Sequence, residues 1–334
     1  MADYGSKIAD KAIETTEKKI RAVYQQASRE LNKKLADFTR KHQKKQKEML
    51  KKLDAGEISK VQYERWMRGQ LFMQKQWTAK ADQATRIMLD ANQEAALLVK
   101  KGRLNVFAEN YNYAAYELEK RARGTVNFNI YNEKAVEKLL RKKPKMLPEW
   151  KIDEKKDYKW NRQKVENSIT QGIIQGKKIE EITGDLVKNL CTTNDSKMRL
   201  FARTAMTGSQ NAGRQAQMED AEDMGITVKK RWVATLDNRT RDTHQRLDGQ
   251  EVDVDQPFKI DDYEIDYPGD PNGEPEMVYN CRCAMIQIYP GIERHSTRRA
   301  YDEDENGKRD TKNSYLVQDM TYLEWKAWKE RGKR

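Results

Sequence analysis

Apolar residues recur at helical spacing through the first hundred positions of this chain of 334 residues. Between residues 8 and 53 the steps are mostly three, four or seven, which is the narrow seam of an amphipathic helix. Residues 54–56, Asp-Ala-Gly, predict its end, because glycine readily closes a helix in the left-handed conformation. Ser59 and Gln62 have the spacing of a capping box, and the helical pattern then continues to Gly102. These positions predict a long antiparallel helical hairpin.

Shorter elements follow, beginning with residues 125–131, which alternate like a brief strand. Helical spacing then returns in four segments: 135–140, 160–174, 179–190 and 196–224. Gly225 is placed to end the last of these helices. Three further segments alternate apolar and polar residues and predict strands: 226–234, 250–254 and 284–289. Residues 237–249 predict a loop that leads into a short helix, so this region is an α+β unit with a small sheet.

The predicted fold class is α+β and mostly α. We expect four parts: a basic helical hairpin or extension (1–124), a bridge of short helices (125–194), an α+β domain (195–290) and a charged tail (291–334). The tail contains residues 320–329, which predict a short helix with Leu323, Ala327 and an aromatic residue on one side. We expect that helix to dock on its own domain, the alternative being a free peptide motif for a partner.

The composition argues against several classes of protein. No stretch approaches the roughly 18 apolar residues of a membrane span, and the N-terminal segment lacks the apolar core of a secretory signal. Three cysteines argue against a disulfide scaffold and favour a reducing compartment. The seven Trp, fifteen Tyr and six Phe argue against disorder throughout. With only 37% hydrophobic residues, we expect a modest core and a protein that gains stability by binding.

The net charge of +12 is unevenly distributed. Residues 1–100 carry 22 Lys and Arg against 13 Asp and Glu, whereas residues 251–280 carry one basic and ten acidic side chains. A polyanion such as DNA would be attracted to the N-terminal helices without regard to base sequence. The alternative is that these lysines only solvate exposed helix faces. The candidate nucleic-acid contacts are Lys33, Lys34, Lys44, Lys45, Lys51 and Lys52.

An ordered set of polar and aromatic residues occupies the α+β unit. The segment RTAMTGSQNAGR is followed by WVATLDNRTRDTHQRLDG and then by PGDPNGEPEMVYNCRC. The residues that form this motif are Trp232, Asp237, Arg239, Thr240, Arg241, His244, Asp248, Gly249, Asn280, Cys281, Arg282 and Cys283. Their order resembles that of the Mu F-like minor head (head-morphogenesis) proteins of tailed bacteriophages. The likeness is specific over about 85 residues and extends more weakly back to about residue 130.

The resemblance implies a structural role. Proteins of that family are minor components of the virion that act at the portal vertex during head assembly or genome packaging. It therefore implies a location in the capsid interior near the portal, after synthesis in the bacterial cytoplasm. The implied partners are the portal protein, the major capsid or scaffolding protein, and packaged double-stranded DNA, with no membrane. Some relatives carry a toxin or enzyme domain after the N-C-R-C block. Only about 44 residues follow the predicted α+β domain, which ends at residue 290, so we expect a simple minor head protein.

Three residues of the motif are also candidate metal ligands. His244, Cys281 and Cys283 have soft or borderline donor atoms that suit structural zinc, and Asp237 is a candidate fourth ligand. Two alternatives remain open at this point. The cysteines can be small buried hydrophobic residues beside a hydrogen-bonded structural histidine, or they can form a strained disulfide with each other.

Catalysis is the competing class of function. The loop from Asp237 to His244 contains a general base and arginines that could act on a phosphodiester, as in a nuclease-like DNA- or RNA-processing enzyme or a toxin-type effector. The segment has neither the paired carboxylates of a two-metal site nor a glycine-rich phosphate loop. The sequence therefore predicts that the protein is not an enzyme.

Overall fold

A computed structural model describes most of the chain. The described residues are 4–72, 75–122, 130–131, 134, 136, 146, 148–175, 177–290, 297–303 and 309–331. Their fold is α+β and mostly α, as predicted: long helices precede a C-terminal region with small antiparallel sheets. The predicted strand at 125–131 and the predicted helix at 135–140 lie largely outside the described residues. No described helix is long and apolar enough to cross a membrane.

Among the described residues, the following helices come first: α1 (Tyr4–Asp54), α2 (Lys60–Phe72), α3 (Lys75–Ala122), α4 (Glu154–Ile174) and α5 (Ile179–Asp223). The predicted stop after α1 is confirmed, since Gly56 has φ +72°. The capping box is also present: Ser59 N–H donates to Gln62 Oε1 at 2.7 Å, and Gln62 N–H donates to Ser59 Oγ at 3.2 Å. These local signals correctly predicted where α1 ends and α2 begins.

The contacts divide the chain into two compact units. The first unit holds Met1–Thr16, Val99–Glu149 and Leu200–Arg334, and the second holds Glu17–Leu98 and Trp150–Arg199. In the second unit, α1 runs antiparallel to α2 and α3. Tyr24 donates to Asn92 Oδ1 at 2.7 Å, and Gln46 donates to Tyr63 Oη at 3.0 Å. The predicted antiparallel packing of the N-terminal helices is therefore present within this unit.

Two predicted helix ends are wrong. Helix α3 continues through Gly102 to Ala122. A Cβ at Gly102 would lie 2.2 Å from the Met206 side chain, so this glycine permits close packing and does not stop the helix. The helices predicted at 179–190 and 196–224 are one continuous helix, α5. The Asn194 amide donates to Leu190 O at 2.8 Å, which shows how a polar residue is accommodated at the expected break. The predicted boundary at 194/195 therefore falls inside α5.

The described part of the first unit contains three small antiparallel sheets. The central sheet has the order β2-β1-β5, from Glu251–Asp253, Lys229–Val233 and Ala284–Ile288, and its three strands were predicted. Two hairpins were not predicted: β3 (Phe258–Ile260) with β4 (Tyr263–Ile265), and β6 (Thr297–Glu303) with β7 (Arg309–Gln318). Three short helices complete the unit: α6 (Asp242–Leu247), α7 (Pro275–Val278) and α8 (Tyr322–Glu330).

The core of the first unit surrounds Trp232 on β1. Its indole is fully buried and packs edge-on against Phe258, with ring centroids 5.3 Å apart. Phe107 and Tyr111 of α3 and Met285 of β5 belong to the same buried cluster. Helix α8 docks on this unit as expected, but through Tyr322 and Trp325, which are buried. Leu323 and Ala327, the residues named for one side of the helix, are exposed. The Tyr322 hydroxyl donates to Asp237 O at 2.7 Å.

Candidate metal centre

His244 is placed by the loop and short helix that follow β1. It lies in α6, which the predicted Asp248-Gly249 pair closes with Gly249 at φ +87°. The imidazole is buried, and the Trp232 ring packs edge-on against it with centroids 5.5 Å apart. The buried face of β1 and helix α6 thus hold this side chain inside the unit.

Cys281 and Cys283 lie on the segment that connects α7 to β5. The preceding Asn280 has φ +57°, a left-handed conformation that asparagine tolerates better than most residues, and its N–H donates to Thr204 Oγ1 at 3.1 Å. The Thr207 hydroxyl donates to Cys281 O at 3.0 Å. The cysteine segment is therefore fixed to helix α5 through its backbone.

Asn211 of α5 is the second anchor of this segment. Its amide donates to Cys283 O at 3.2 Å and to Pro268 O at 2.9 Å, while its Oδ1 accepts from Met285 N–H at 2.8 Å. The side chain is fully buried. It belongs to the RTAMTGSQNAGR segment, but no local pattern predicts that it connects Pro268 to Cys283.

The three soft donor atoms converge. His244 Nδ1 lies 3.7 Å from Cys281 Sγ and 3.3 Å from Cys283 Sγ, and all three atoms lie within 4.8 Å of one another. All three residues are buried, and both cysteines are free thiols. The structure thus forms the predicted His/Cys cluster, which has the composition of a metal site.

The two thiols have different acidities. A hydrogen bond with Cys283 lowers the pKa of Cys281 below its usual value, and the positive charges of Arg241 and Arg282 act in the same direction. Burial raises the pKa of Cys283 well above its usual value.

Asp237 does not join the cluster. Both of its carboxylate oxygens contact the Arg282 guanidinium, one of them at 2.9 Å. The same carboxylate accepts from Arg239 N–H at 3.0 Å and from the Thr240 hydroxyl at 3.2 Å. As a fourth metal ligand Asp237 is not supported, because this buried group already forms a bidentate ion pair.

Asp248 has the same kind of internal role. It accepts two bonds from the Arg298 guanidinium, at 2.7 and 3.1 Å, and one from Ala234 N–H at 2.7 Å. Tyr322 N–H donates to it at 2.5 Å. Arg298 lies on β6, outside the recognised motif. The carboxylate thus joins the motif to the C-terminal hairpin and to α8.

The remaining motif positions divide between core and surface. Trp232 and Gly249 are structural: a Cβ at Gly249 would lie 2.7 Å from Thr321 Cγ2. Arg241 donates to Tyr279 O, which closes the loop over the cysteine segment. Arg239 is exposed.

The candidate nucleic-acid contacts belong to the second unit. All six lysines are exposed on α1. Steps of 11 and 18 residues separate Lys33 from Lys44 and Lys51, and likewise Lys34 from Lys45 and Lys52. These steps are close to whole numbers of turns at about 3.6 residues per turn, so the six side chains share one face of the helix.

Residues 163–286 match the model of the family described as Phage Mu protein F like protein. The chain is 29% identical over 233 residues to the minor head protein GP7 of Bacillus phage SPP1, covering 67% of this chain and 69% of that protein. It is 38% identical over 130 residues to the NAD(+)–arginine ADP-ribosyltransferase EFV of Enterococcus faecalis, covering 39% of this chain and 26% of that protein. No solved structure matches.

A third relative is an uncharacterized protein of Haemophilus influenzae, 28% identical over 126 residues. The chain spans 24% of its length, so two of the three relatives are matched over about a quarter of their own length. The SPP1 protein is matched over about two thirds.

Proposed function

We propose that this chain, whose residues 163–286 match the model of the Mu F-like family, is a structural part of a tailed-phage virion that acts in head morphogenesis and genome packaging. The observation that carries this proposal is the match to a minor head protein over 67% of the chain. That share extends beyond the 163–286 segment, so the likeness includes helical parts on which no motif was recognised.

The geometry of the motif supports a scaffold. Asp237 is paired with Arg282, Asp248 is paired with Arg298, and the carboxylates also accept backbone N–H groups. A buried carboxylate in a bidentate pair is held in place and is a poor general base. A structural zinc ion on the His/Cys cluster would serve the same purpose by fixing α6 to the segment before β5.

We place the protein inside the capsid near the portal vertex. There its partners would be the portal protein, the major capsid or scaffolding protein, and packaged double-stranded DNA. The lysine face of α1 supports the contact with DNA, because exposed lysines on one helix face can contact successive phosphates.

Among the relatives compared, one has a name that supports the enzymatic alternative. The Enterococcus faecalis protein is named an ADP-ribosyltransferase, but the match covers 26% of its length. A shared segment of this size does not transfer the activity of the whole protein. Incubation of the purified chain with labelled NAD⁺ and an arginine-rich acceptor, or with DNA and RNA plus Mg²⁺, should give no turnover. Turnover that His244→Ala abolishes would favour the enzyme.

The test of the proposed function is the protein's position in particles. DNA-filled heads and empty procapsids would be separated by density and analysed by quantitative mass spectrometry and cross-linking. We expect the chain in both fractions, at far lower abundance than the major capsid protein, with cross-links to the portal protein. A chain confined to the unassembled lysate fraction would contradict the proposal, and cross-links to the outer capsid surface alone would contradict the internal location.

A further inference from the structure

We propose that His244, Cys281 and Cys283 bind one structural Zn²⁺ ion per chain. The three donor atoms come from two segments separated by more than thirty residues in the sequence, and they meet inside the first unit with no other described His, Cys, Asp or Glu in the group. Such convergence is a property of the tertiary structure and not of local spacing.

The distances fit a shared ion. With Zn–S of about 2.3 Å and Zn–N of about 2.0–2.1 Å, tetrahedral ligands place nitrogen and sulfur about 3.6 Å apart. The observed separations from His244 Nδ1 are 3.3 Å to Cys283 and 3.7 Å to Cys281. These two values lie on either side of the separation that the ion requires.

Hydrogen bonding to the imidazole accounts for only one of the two sulfur contacts of His244 Nδ1. One ring nitrogen has either one proton or one lone pair, so Nδ1 can form a hydrogen bond with only one of two thiols. The other ring nitrogen, His244 Nε2, is buried and has no hydrogen-bond partner in the described part of the chain. The histidine is thus not a structural residue held through both nitrogens. Among the described residues, its hydrogen-bonding partners are the two sulfurs.

The charge of the site favours a divalent ion. Two thiolates and one neutral imidazole carry two negative charges, which Zn²⁺ cancels. A neutral unit suits this position, because Trp232, Met277 and Val278 belong to the same buried cluster as the two cysteines. Without a metal, two thiolates would be two buried negative charges, with Arg241 and Arg282 as positive charges that act on Cys281.

The surroundings also orient the ligands. Thr207 and Asn211 hold the backbone carbonyl groups of Cys281 and Cys283, and the Trp232 ring covers His244. Outer contacts of this kind are what keep metal ligands in position. Because all three ligands are buried, substrates would not reach the ion. Its fourth coordination position would hold a water molecule or stay empty. Its role would be structural.

The experiment measures metal bound to the purified full-length chain. After exposure to Zn²⁺ under reducing conditions and removal of free metal, we expect about one zinc per chain. Cys281→Ser and Cys283→Ser should each lower the bound zinc by about tenfold or more, because each removes a thiolate ligand. The matched control is Cys191→Ser, which removes the third buried cysteine, in the second unit, and should leave the zinc content unchanged.

A second measurement covers the case in which a serine variant does not fold. Wild-type protein treated with a chelator and then with Co²⁺ should show a thiolate-to-cobalt charge-transfer band, which equimolar Zn²⁺ removes. Any of four results would overturn the proposal: no stoichiometric zinc in the wild type, wild-type zinc content in the Cys281→Ser and Cys283→Ser variants, no cobalt–thiolate band, or a Cys281–Cys283 disulfide in freshly purified protein.

Discussion

Asp248 is the residue at which three parts of the first unit meet. Its carboxylate accepts from Ala234 N–H after β1, from Tyr322 N–H at the start of α8 and from Arg298 on β6. The motif predicted that Asp248 would close a short helix, and it does so with Gly249. Its ion pair with Arg298 could not be predicted, because the arginine lies 50 residues further along, outside the recognised pattern.

This pair gives a prediction for a double-mutant cycle. Asp248→Ala and Arg298→Ala should each lower the free energy of unfolding by about 3–5 kcal/mol, since each leaves a buried charge unpaired. The double variant should lose clearly less than the sum of the two. Chemical denaturation of the four proteins measures the coupling, with Asp242→Ala, which breaks the exposed pair with Arg246, as a control without measurable loss. Additive single effects would show that the pair is not coupled.

The helices show which structural features the local sequence pattern predicts and which it does not. The seam of α1, its stop at Gly56 and the capping box at Ser59 were all predicted correctly, because each depends on residues within one or two turns. The break between two helices near residue 194 was wrong, since α5 stays continuous there. The hairpins β3–β4 and β6–β7 were missed because their strands are short or lack clear alternation.

Two glycines of α5 give the prediction at the scale of an element. A Cβ at Gly213 would lie 2.4 Å from Phe107 O of α3, whereas Gly184 has no atom within 4 Å of that position. Gly213→Ala should therefore lower the free energy of unfolding by about 1–3 kcal/mol through steric overlap. Gly184→Ala should raise it by about 1 kcal/mol, because alanine favours the helix. Thermal denaturation followed by circular dichroism compares the stability of the two variants. If both substitutions changed stability equally, α3 and α5 would not pack this closely at Gly213.

For the whole molecule, the uneven charge distribution predicts how the affinity for duplex DNA depends on salt. If about six lysines of the α1 face contact phosphates, affinity for duplex DNA should fall by about a thousandfold between 50 and 200 mM salt. Replacing Lys33, Lys34, Lys44, Lys45, Lys51 and Lys52 with glutamine should remove most of that dependence. Fluorescence anisotropy with a labelled duplex of arbitrary sequence measures the affinity at each salt concentration.

The control for the DNA prediction has the same net charge as the variant with six glutamines on the α1 face. Glutamine would replace six exposed lysines away from that face: Lys60, Lys134, Lys151, Lys155, Lys188 and Lys326. This variant should bind more tightly than the first and retain most of the wild-type salt dependence. If both variants weaken binding equally, overall charge and not the lysine face determines affinity.

The sequence by itself determined the helical class, the end of α1 and the start of α2, the central strands and the order of the motif. These features depend on periodicity and on residues close together along the chain. The tertiary structure decided which residues the motif side chains contact: His244 contacts the cysteines, Asp237 contacts Arg282, and Asp248 contacts Arg298 outside the motif.

Burial was likewise decided by packing. Lys230 lies on the same side of β1 as Trp232 and is buried, so a charged residue faces the core within the predicted strand. Its ammonium donates to Asp266 O at 2.9 Å, and burial lowers the pKa of this lysine to about 8. Contacts of this kind join residues that are distant along the chain, so their partners are set by the packing of whole elements and not by any local pattern.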